Sequence, residues 1–364
     1  MKKLLVVSDP PAAPGYLPRL RYLCDYLVRK GHDVTLLTEA YEPLLFEHTY
    51  PIETIRMYSG STFDWFIKTV WTLLTDWHNR AFAQKALSAK LGGYEAVICT
   101  AFSDFPLGAA QRIAKHLNVP LICDIRDLDE QVDHSRYQYK HQSRWLMPFR
   151  RLYRAIHIRR RNQVLRAADA ITTVSPWHAE FIRTITNLSP ITVIYNGFDE
   201  KQFYPKDIPT EQFTVTYIGS LFEWQQPALE KVKKAVEELG VVLDIHTPQS
   251  NPIPHNQLGD AIRRSGIMLV LTNEHTHGML TTKFYEALGC EKPILCVPSD
   301  KGALAELIAY THAGIATDDS EAIKAFIAEQ YKAWQKQGFT RQATRHRNEF
   351  TREAQYDQFY RTHL

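Results

Sequence analysis

Short apolar runs recur along the chain, separated by longer stretches in which apolar residues return every third or fourth position. Buried parallel strands covered by helices on both faces give this pattern. In the first half, strands are expected at residues 4–7, 34–37, 52–57, 96–100, 121–124, 170–174 and 192–195, with helices at 17–30 and 107–117. In the second half, strands are expected at 213–218, 241–245, 267–271, 294–297 and 314–316, and helices from Thr282 and over 303–308 and 320–336, with an amphipathic tail over 350–364. Residues 199–212, with Pro205 and Pro209, read as a connection between two such sheets. One long helical segment, 63–91, carries Phe63, Trp65, Phe66, Val70, Trp71, Leu73, Leu74, Trp77 and Phe82. Core packing is the default expectation for it. The alternative is a surface facing a membrane or a lipid acceptor, since Trp and Phe favour interfaces.

Candidate chemistry gathers where strands end. The apolar run 267–271 leads into a polar loop, then Thr281 and Thr282 as helix N-cap residues, then Lys283, Phe284, Tyr285, Glu286, Ala287 and Leu288. Gly289 is expected at the helix C′ position, and Pro293 stops the helix from resuming. Free N–H groups and the positive end of a helix dipole make such a turn an anion site. Lys283 adds a full charge there, and Glu286 shares its helix face. A diphosphate on Lys283 with a ribose diol on Glu286 would use both; an exposed i,i+3 ion pair is the alternative. Asp124-Ile125-Arg126-Asp127 and Ser103-Asp104 lie at the C-terminal ends of two other strands, where open α/β sheets bind ligands. Arg126, Asp127 and Asp104 could orient an acceptor hydroxyl or stabilise charge, or form a salt-bridged corner.

Length and composition place limits on these readings. A chain of 364 residues suggests two domains, and 45% apolar with 23% charged residues describes a globular protein. The net charge of +3 implies no nucleic-acid partner. Cysteines 24, 99, 123, 290 and 296 lack metal-ligand spacing and read as buried thiols of a cytoplasmic protein. The apolar run after Met1-Lys2-Lys3 stops at Ser8-Asp9-Pro10-Pro11, too soon for a signal peptide, and no window approaches a membrane span. Charge is nonetheless segregated. Residues 136–166 hold ten Lys or Arg and no Asp or Glu, interleaved with aromatics. Such a run is usually a solvated face; with this many aromatics it suits an anionic membrane surface, with Arg150, Arg151, Arg159 and Arg160 as contacts. Nucleic acid is the competing partner, but no recognised nucleic-acid module surrounds the run.

The block Thr282-Lys283-Phe284-Tyr285-Glu286-Ala287-Leu288-Gly289, with Lys292-Pro293-Ile294-Leu295, resembles the donor-site signature of GT-B glycosyltransferases of family 4, which are retaining enzymes, and most of all those that build bacterial cell-surface polysaccharides. Gly31-His32-Asp33-Val34-Thr35, Asp124-Ile125-Arg126-Asp127-Leu128, Ala168 to Ser175, Tyr195-Asn196-Gly197-Phe198-Asp199 and Tyr217-Ile218-Gly219-Ser220-Leu221 agree in family order. The resemblance implies an α/β protein of two Rossmann-like, doubly wound domains facing an interdomain cleft. They would be an acceptor-binding domain at 1–198, a linker at 199–212, a nucleotide-sugar domain at 213–345, and a C-terminal helix at 346–364 crossing back. It implies a nucleotide-sugar substrate, UDP- or GDP-linked, with no cofactor and no metal, and a lipid-linked or saccharide acceptor at the inner face of the cell membrane.

The same resemblance gives Lys283, Thr281 and Thr282 the leaving diphosphate and Glu286 the ribose. Gly219, Ser220 and Gly278 would lie beside the donor, and Thr247 where the base stacks. Gly15 would lie in a glycine loop near the donor, or be a turn glycine. Two departures stand out. Leu221-Phe222-Glu223-Trp224 replaces a basic pair that relatives often carry after Gly219, and Gly278 stands where many have a first glutamate. Both leave open a non-catalytic scaffold subunit, and the fold alone leaves open a nucleotide-sugar epimerase.

Overall fold

The computed structural model describes residues 1–9, 17–40, 47–58, 60–89, 91–131, 147–187, 190–272 and 278–364. Gly15 and residues 136–146 of the basic stretch lie outside the described residues. The chain forms two compact units. One comprises Met1–Glu130, His134–Ile194 and Gln358–Leu364; the other comprises Gln131–Asp133 and Tyr195–Asp357.

The first unit is built on a parallel sheet with seven strands among the described residues: β1 (Lys3–Ser8), β2 (Asp33–Glu39), β3 (Ile52–Ile55), β4 (Ala96–Ala101), β5 (Leu121–Ile125), β6 (Ala170–Thr173) and β7 (Ile191–Val193). Their order is β3-β2-β1-β4-β5-β6-β7. Val7 pairs with Leu37 on one side and Cys99 on the other. Leu4, Leu5, Val6 and Val7 are all buried, because both faces of a doubly wound sheet are covered. Strand order reverses between β1 and β4, and the crevice beyond their C-terminal ends is where such sheets take ligands. The helices are α1 (Leu17–Arg29), α2 (Thr62–Thr75), α3 (Trp77–Ser88), α4 (Leu107–Leu117), α5 (Met147–Leu165) and α6 (Pro176–Ile185).

The long segment 63–91 is two helices, not one. Asp76 takes the left-handed conformation, φ 59° and ψ 36°, ending α2 and starting α3. Asp76 accepts a hydrogen bond from Arg112 at 2.7 Å, which holds the corner. Core packing holds for Phe82 of α3, which is buried, but fails for α2. There the polar side chains turn inward: Lys68 donates to Asp64 at 2.7 Å and to the Met57 carbonyl at 2.8 Å, and Thr72 is buried. Phe63, Phe66, Ile67, Val70, Trp71 and Leu74 are exposed.

The second unit carries a parallel sheet, with five strands among the described residues: β8 (Thr214–Ile218), β9 (Val242–His246), β10 (Ile267–Leu271), β11 (Ile294–Val297) and β12 (Gly314–Ala316), ordered β12-β11-β10-β8-β9. Its helices are α7 (Gln226–Leu239), α8 (Leu258–Arg264), α9 (Thr282–Gly289), α10 (Ala303–Thr311), α11 (Ser320–Gln337) and α12 (Arg352–His363). The period of two along β10 divides the core. Met268 and Val270 pack with α9, while Ile267, Leu269 and Leu271 pack with α7 and α11. Strand order reverses between β8 and β10, which places a second switch point at the start of α9. The last residues of α12 belong to the first unit, where Tyr360 meets Tyr26 and His32, and Lys2 donates to the Leu364 carbonyl at 2.7 Å.

Gly289 is not the left-handed C′ residue. It lies inside α9, and Glu291 takes the positive φ of 52° instead. A Cβ on Gly289 would lie 2.8 Å from both Phe198 and Phe203, so the absent side chain serves packing.

Candidate functional site

In the second unit, α9 begins at the switch point with Thr281 as N-cap, its hydroxyl accepting the Lys283 N–H at 3.4 Å. Thr282 is exposed in the first turn. Phe284, Tyr285, Ala287 and Leu288 anchor the helix in the core, so its N-terminus is fixed by burial on the opposite side. Lys283 does not form a surface pair with Glu286. Its ammonium lies across Gly219, where a Cβ would come within 2.6 Å of Lys283 Cε and 2.7 Å of Nζ, and it stands 5.5 Å from the centre of the Tyr217 ring. Gly219 also has φ 136°, which only glycine adopts readily. Burial holds the Lys283 ammonium below the usual lysine range, opposed by Glu286. Burial pushes the half-buried Glu286 carboxyl up, opposed by Lys283 and Arg352.

A pocket of about 280 Å³ opens there. Ser220, Thr272, Thr281 and Lys283 line it on the polar side, and Phe222 and Trp224 on the aromatic side. Those two rings stack at 5.8 Å with an interplanar angle of 5°. The loop that lacks the expected basic pair therefore presents aromatic faces, and Lys283 is the cation of the lining among the described residues. Gln225 ties the loop to the sheet through the Leu271 carbonyl at 3.0 Å. Gly278 is buried with φ 65°. Thr247 sits in the turn after β9, its N–H donating to the Ser250 carbonyl at 2.8 Å. Lys292, in the same sequence block, is structural: its ammonium donates to the Thr340 carbonyl at 2.8 Å, and burial pushes it down to about 8.

The first unit has its own cluster at the β1–β4 switch. Asp104, after β4, is buried and paired with His157 of α5. Arg126, after β5, is buried with its guanidinium 4.1 Å from the centre of the Phe102 ring. Asp9, directly after β1, has its carboxyl pushed up to about 7 by burial, against the pull of Arg126 and His78. Asp124 belongs to the scaffold instead. It accepts from Arg19 at 2.8 Å and 3.1 Å, from Thr100 at 3.0 Å and from Thr172 at 2.8 Å, which locks α1 to three strands. Asp127 is exposed. The sequence holds one Asp-x-Asp, Asp127-Leu128-Asp129, so an absence of that motif does not support the expectation of a metal-free site; among the described residues no group of three or more His, Cys, Asp or Glu is placed to hold a metal ion.

The sequence profile of glycosyltransferase family 4 matches residues 19–202, just over half of the chain. The chain belongs to glycosyltransferase family 4. No curated protein matches the sequence at a significant level. Among solved structures, sucrose-phosphate synthase from Thermosynechococcus elongatus is similar at TM-score 0.67 and 17% identity, covering 100% of this chain and 99% of that one. HepE of Anabaena, in complex with UDP and glucose, is similar at 0.62 and 14%, covering 100% and 99%. A glycosyltransferase from Rickettsia africae is similar at 0.64 and 12%, covering 99% and 97%. At these identities the likeness establishes the GT-B fold.

In this glycosyltransferase, the residues singled out in sequence fall into three places. Lys283, Thr281, Thr282, Ser220, Gly219, Gly278, Glu286 and Thr247 lie around one switch point of the second unit. Asp104 and Arg126 lie at that of the first, with Asp127 exposed at its rim. Of the six arginines of α5, the four singled out in sequence separate: Arg151 and Arg159 are exposed, Arg150 is half-buried, and Arg160 donates to the carbonyls of Thr72 and Leu73 at 2.6 and 2.7 Å and serves the fold. Sequence reasoning missed Asp9, His157, Phe222 and Trp224. The rule that selected Asp104, position just beyond the C-terminal end of a strand, applies equally to Asp9. His157 is hidden in an arginine-rich helix, and its pairing spans 53 residues of sequence.

Proposed function

We propose that this glycosyltransferase transfers a sugar from a nucleoside-diphosphate sugar to a lipid-linked saccharide acceptor, in the assembly of cell-surface polysaccharide at the inner face of the cell membrane. The reading is carried by Lys283, held over Gly219 at the N-terminus of α9 in a pocket walled by Phe222 and Trp224. The helix N-terminus and Lys283 meet the diphosphate and stabilise the charge that grows on it as the glycosidic bond breaks. Phe222 and Trp224 offer flat apolar faces to a sugar ring or base. Glu286 takes the ribose diol. Asp104, Arg126 and Asp127 face the acceptor, metal-independent chemistry with retention at the anomeric carbon being what the family resemblance implies. HepE, which shares the fold, is known with UDP and glucose, and this supports a nucleotide-sugar donor.

The test is thermal stabilisation against UDP-, GDP-, ADP- and TDP-sugars, with and without a divalent metal. Ligand bound to the native state raises the midpoint by mass action, so the acceptor need not be known. One nucleotide should respond, and Lys283→Ala should abolish the response while lowering turnover about a hundredfold to a thousandfold, the usual cost of one charge-stabilising group. No response from any donor would refute the reading.

A further inference from the structure

The apolar stripe of α2 points the wrong way for a soluble helix. Phe63, Phe66, Ile67, Val70, Trp71 and Leu74 recur at the spacing of one helical face, and they are between 37% and 76% exposed. The opposite face, with Asp64, Lys68 and Thr72, is the one packed on the protein. Six large side chains in one unbroken patch exceed the scattered apolar exposure that a soluble surface normally shows. The last turn of α2 is gripped by Arg160 of α5 through the carbonyls of Thr72 and Leu73, so the two helices meet at that end. α5 carries six arginines and no carboxylate. Its first turns expose Phe149, Leu152 and Tyr153 beside Arg151. Along the helix, Arg151, Arg154, Arg159 and Arg166 line an open depression of about 410 Å³.

We propose that α2 is a membrane-insertion helix. Its apolar face enters the acyl boundary of an anionic bilayer while Arg151 and Arg159, the exposed arginines of α5, meet lipid phosphates. An apolar face that carries Phe63, Phe66 and Trp71, next to a helix whose exposed charges Arg151 and Arg159 are cationic, is complementary to that surface in both polarity and charge. A second copy of the chain is the competing occupant. A two-fold contact is self-complementary, so pairing through α2 would cover the apolar face but draw no anionic partner for Arg151 and Arg159 from α5 of the other copy, which has no carboxylate. The insertion deepens the membrane placement proposed above, but it rests on α2 and is read by binding, so its failure is separable from failure of sugar transfer.

The experiment is flotation of the full chain with vesicles of phosphatidylcholine alone or mixed with phosphatidylglycerol. The wild type should float with the anionic vesicles. The triple variant Phe66→Ser, Trp71→Ser, Leu74→Ser, at exposed positions away from both switch points, should lose at least about tenfold in partitioning and keep its thermal response to donor. A second measurement uses the burial of all five native cysteines: Ile67→Cys can be labelled selectively with an environment-sensitive dye, whose emission brominated lipids should quench. Unchanged flotation of the triple variant, or no quenching, overturns the proposal. So does an absence of flotation combined with a dimer that the triple variant dissolves.

Discussion

Lys283 and Glu286 sit three residues apart on one helix, yet their surroundings drive them in opposite directions. Burial lowers the lysine and raises the glutamate, and each opposes the shift of the other. In the proposed donor site Lys283 acts as a cation, a form lost as pH rises through its depressed pKa. The same proposal uses Glu286 as a carboxylate acceptor for the diol, a form lost as pH falls through its raised pKa. Affinity for the responding nucleotide should therefore be bell-shaped in pH. The alkaline limb should fall below the ordinary lysine value of about 10.4, and the acid limb above the ordinary glutamate value of about 4.3. Calorimetric Kd values across the range would check this, and affinity constant up to pH 10.4 would contradict it. Both residues were legible in sequence because the motif is local: strand, loop, cap, cation and carboxylate fall within twenty positions. Asp9 was open to the same strand-end rule, whereas His157 was not, because its significance comes from a helix that the topology brings against the segment after β4. Phe222 and Trp224 stand out in sequence only as a missing basic pair, since sequence shows what a loop lacks more easily than which walls it builds.

At the scale of elements, hydrophobic period foretold most strands and helices, but it specifies a stripe and not the direction the stripe faces. α2 shows the difference: its apolar residues fall at helical spacing, as a core helix's would, and only the inward hydrogen bonds of Lys68 reveal that the stripe is outside. The break at Asp76 was likewise unreadable, since the left-handed corner is secured by Arg112, a partner 36 residues away. The general preference of glycine for C′ positions places Gly289 at a helix end. Its actual role is contact, and this yields a prediction. Gly289→Ala would drive a methyl group to 2.8 Å from Phe198 and Phe203, both buried with less than 2% exposure. Overpacking of this kind costs about 1–3 kcal/mol. A falling denaturation midpoint is expected, with donor affinity at low temperature little changed, because α9 keeps its N-terminus. A midpoint equal to that of the wild type would show that the rings give way freely and that the packing account is wrong.

For the whole molecule, a net charge of +3 conceals an uneven distribution, with cations gathered on α5 next to the apolar face of α2. Two terms of different physical origin should then hold the protein on a bilayer, and salt separates them. Coulombic attraction is screened as the Debye length shrinks from about 10 Å at 0.1 M to about 3 Å at 1 M, whereas burial of apolar surface is not weakened by screening. The wild type should lose part of its partitioning into anionic vesicles over that range and keep a residue. With Arg151 and Arg159 changed to Gln, affinity at low salt should drop by about 2 kcal/mol, or about thirtyfold, at about 1 kcal/mol for each cation near the surface. What remains should depend little on salt. The Phe66, Trp71, Leu74 serine variant should behave in the opposite way, releasing completely at high salt because only the arginines hold it. If the two variants instead showed the same salt slope as the wild type, the charged and apolar surfaces would not be acting on one membrane, and the assignment of α2 and α5 to a common face would fall.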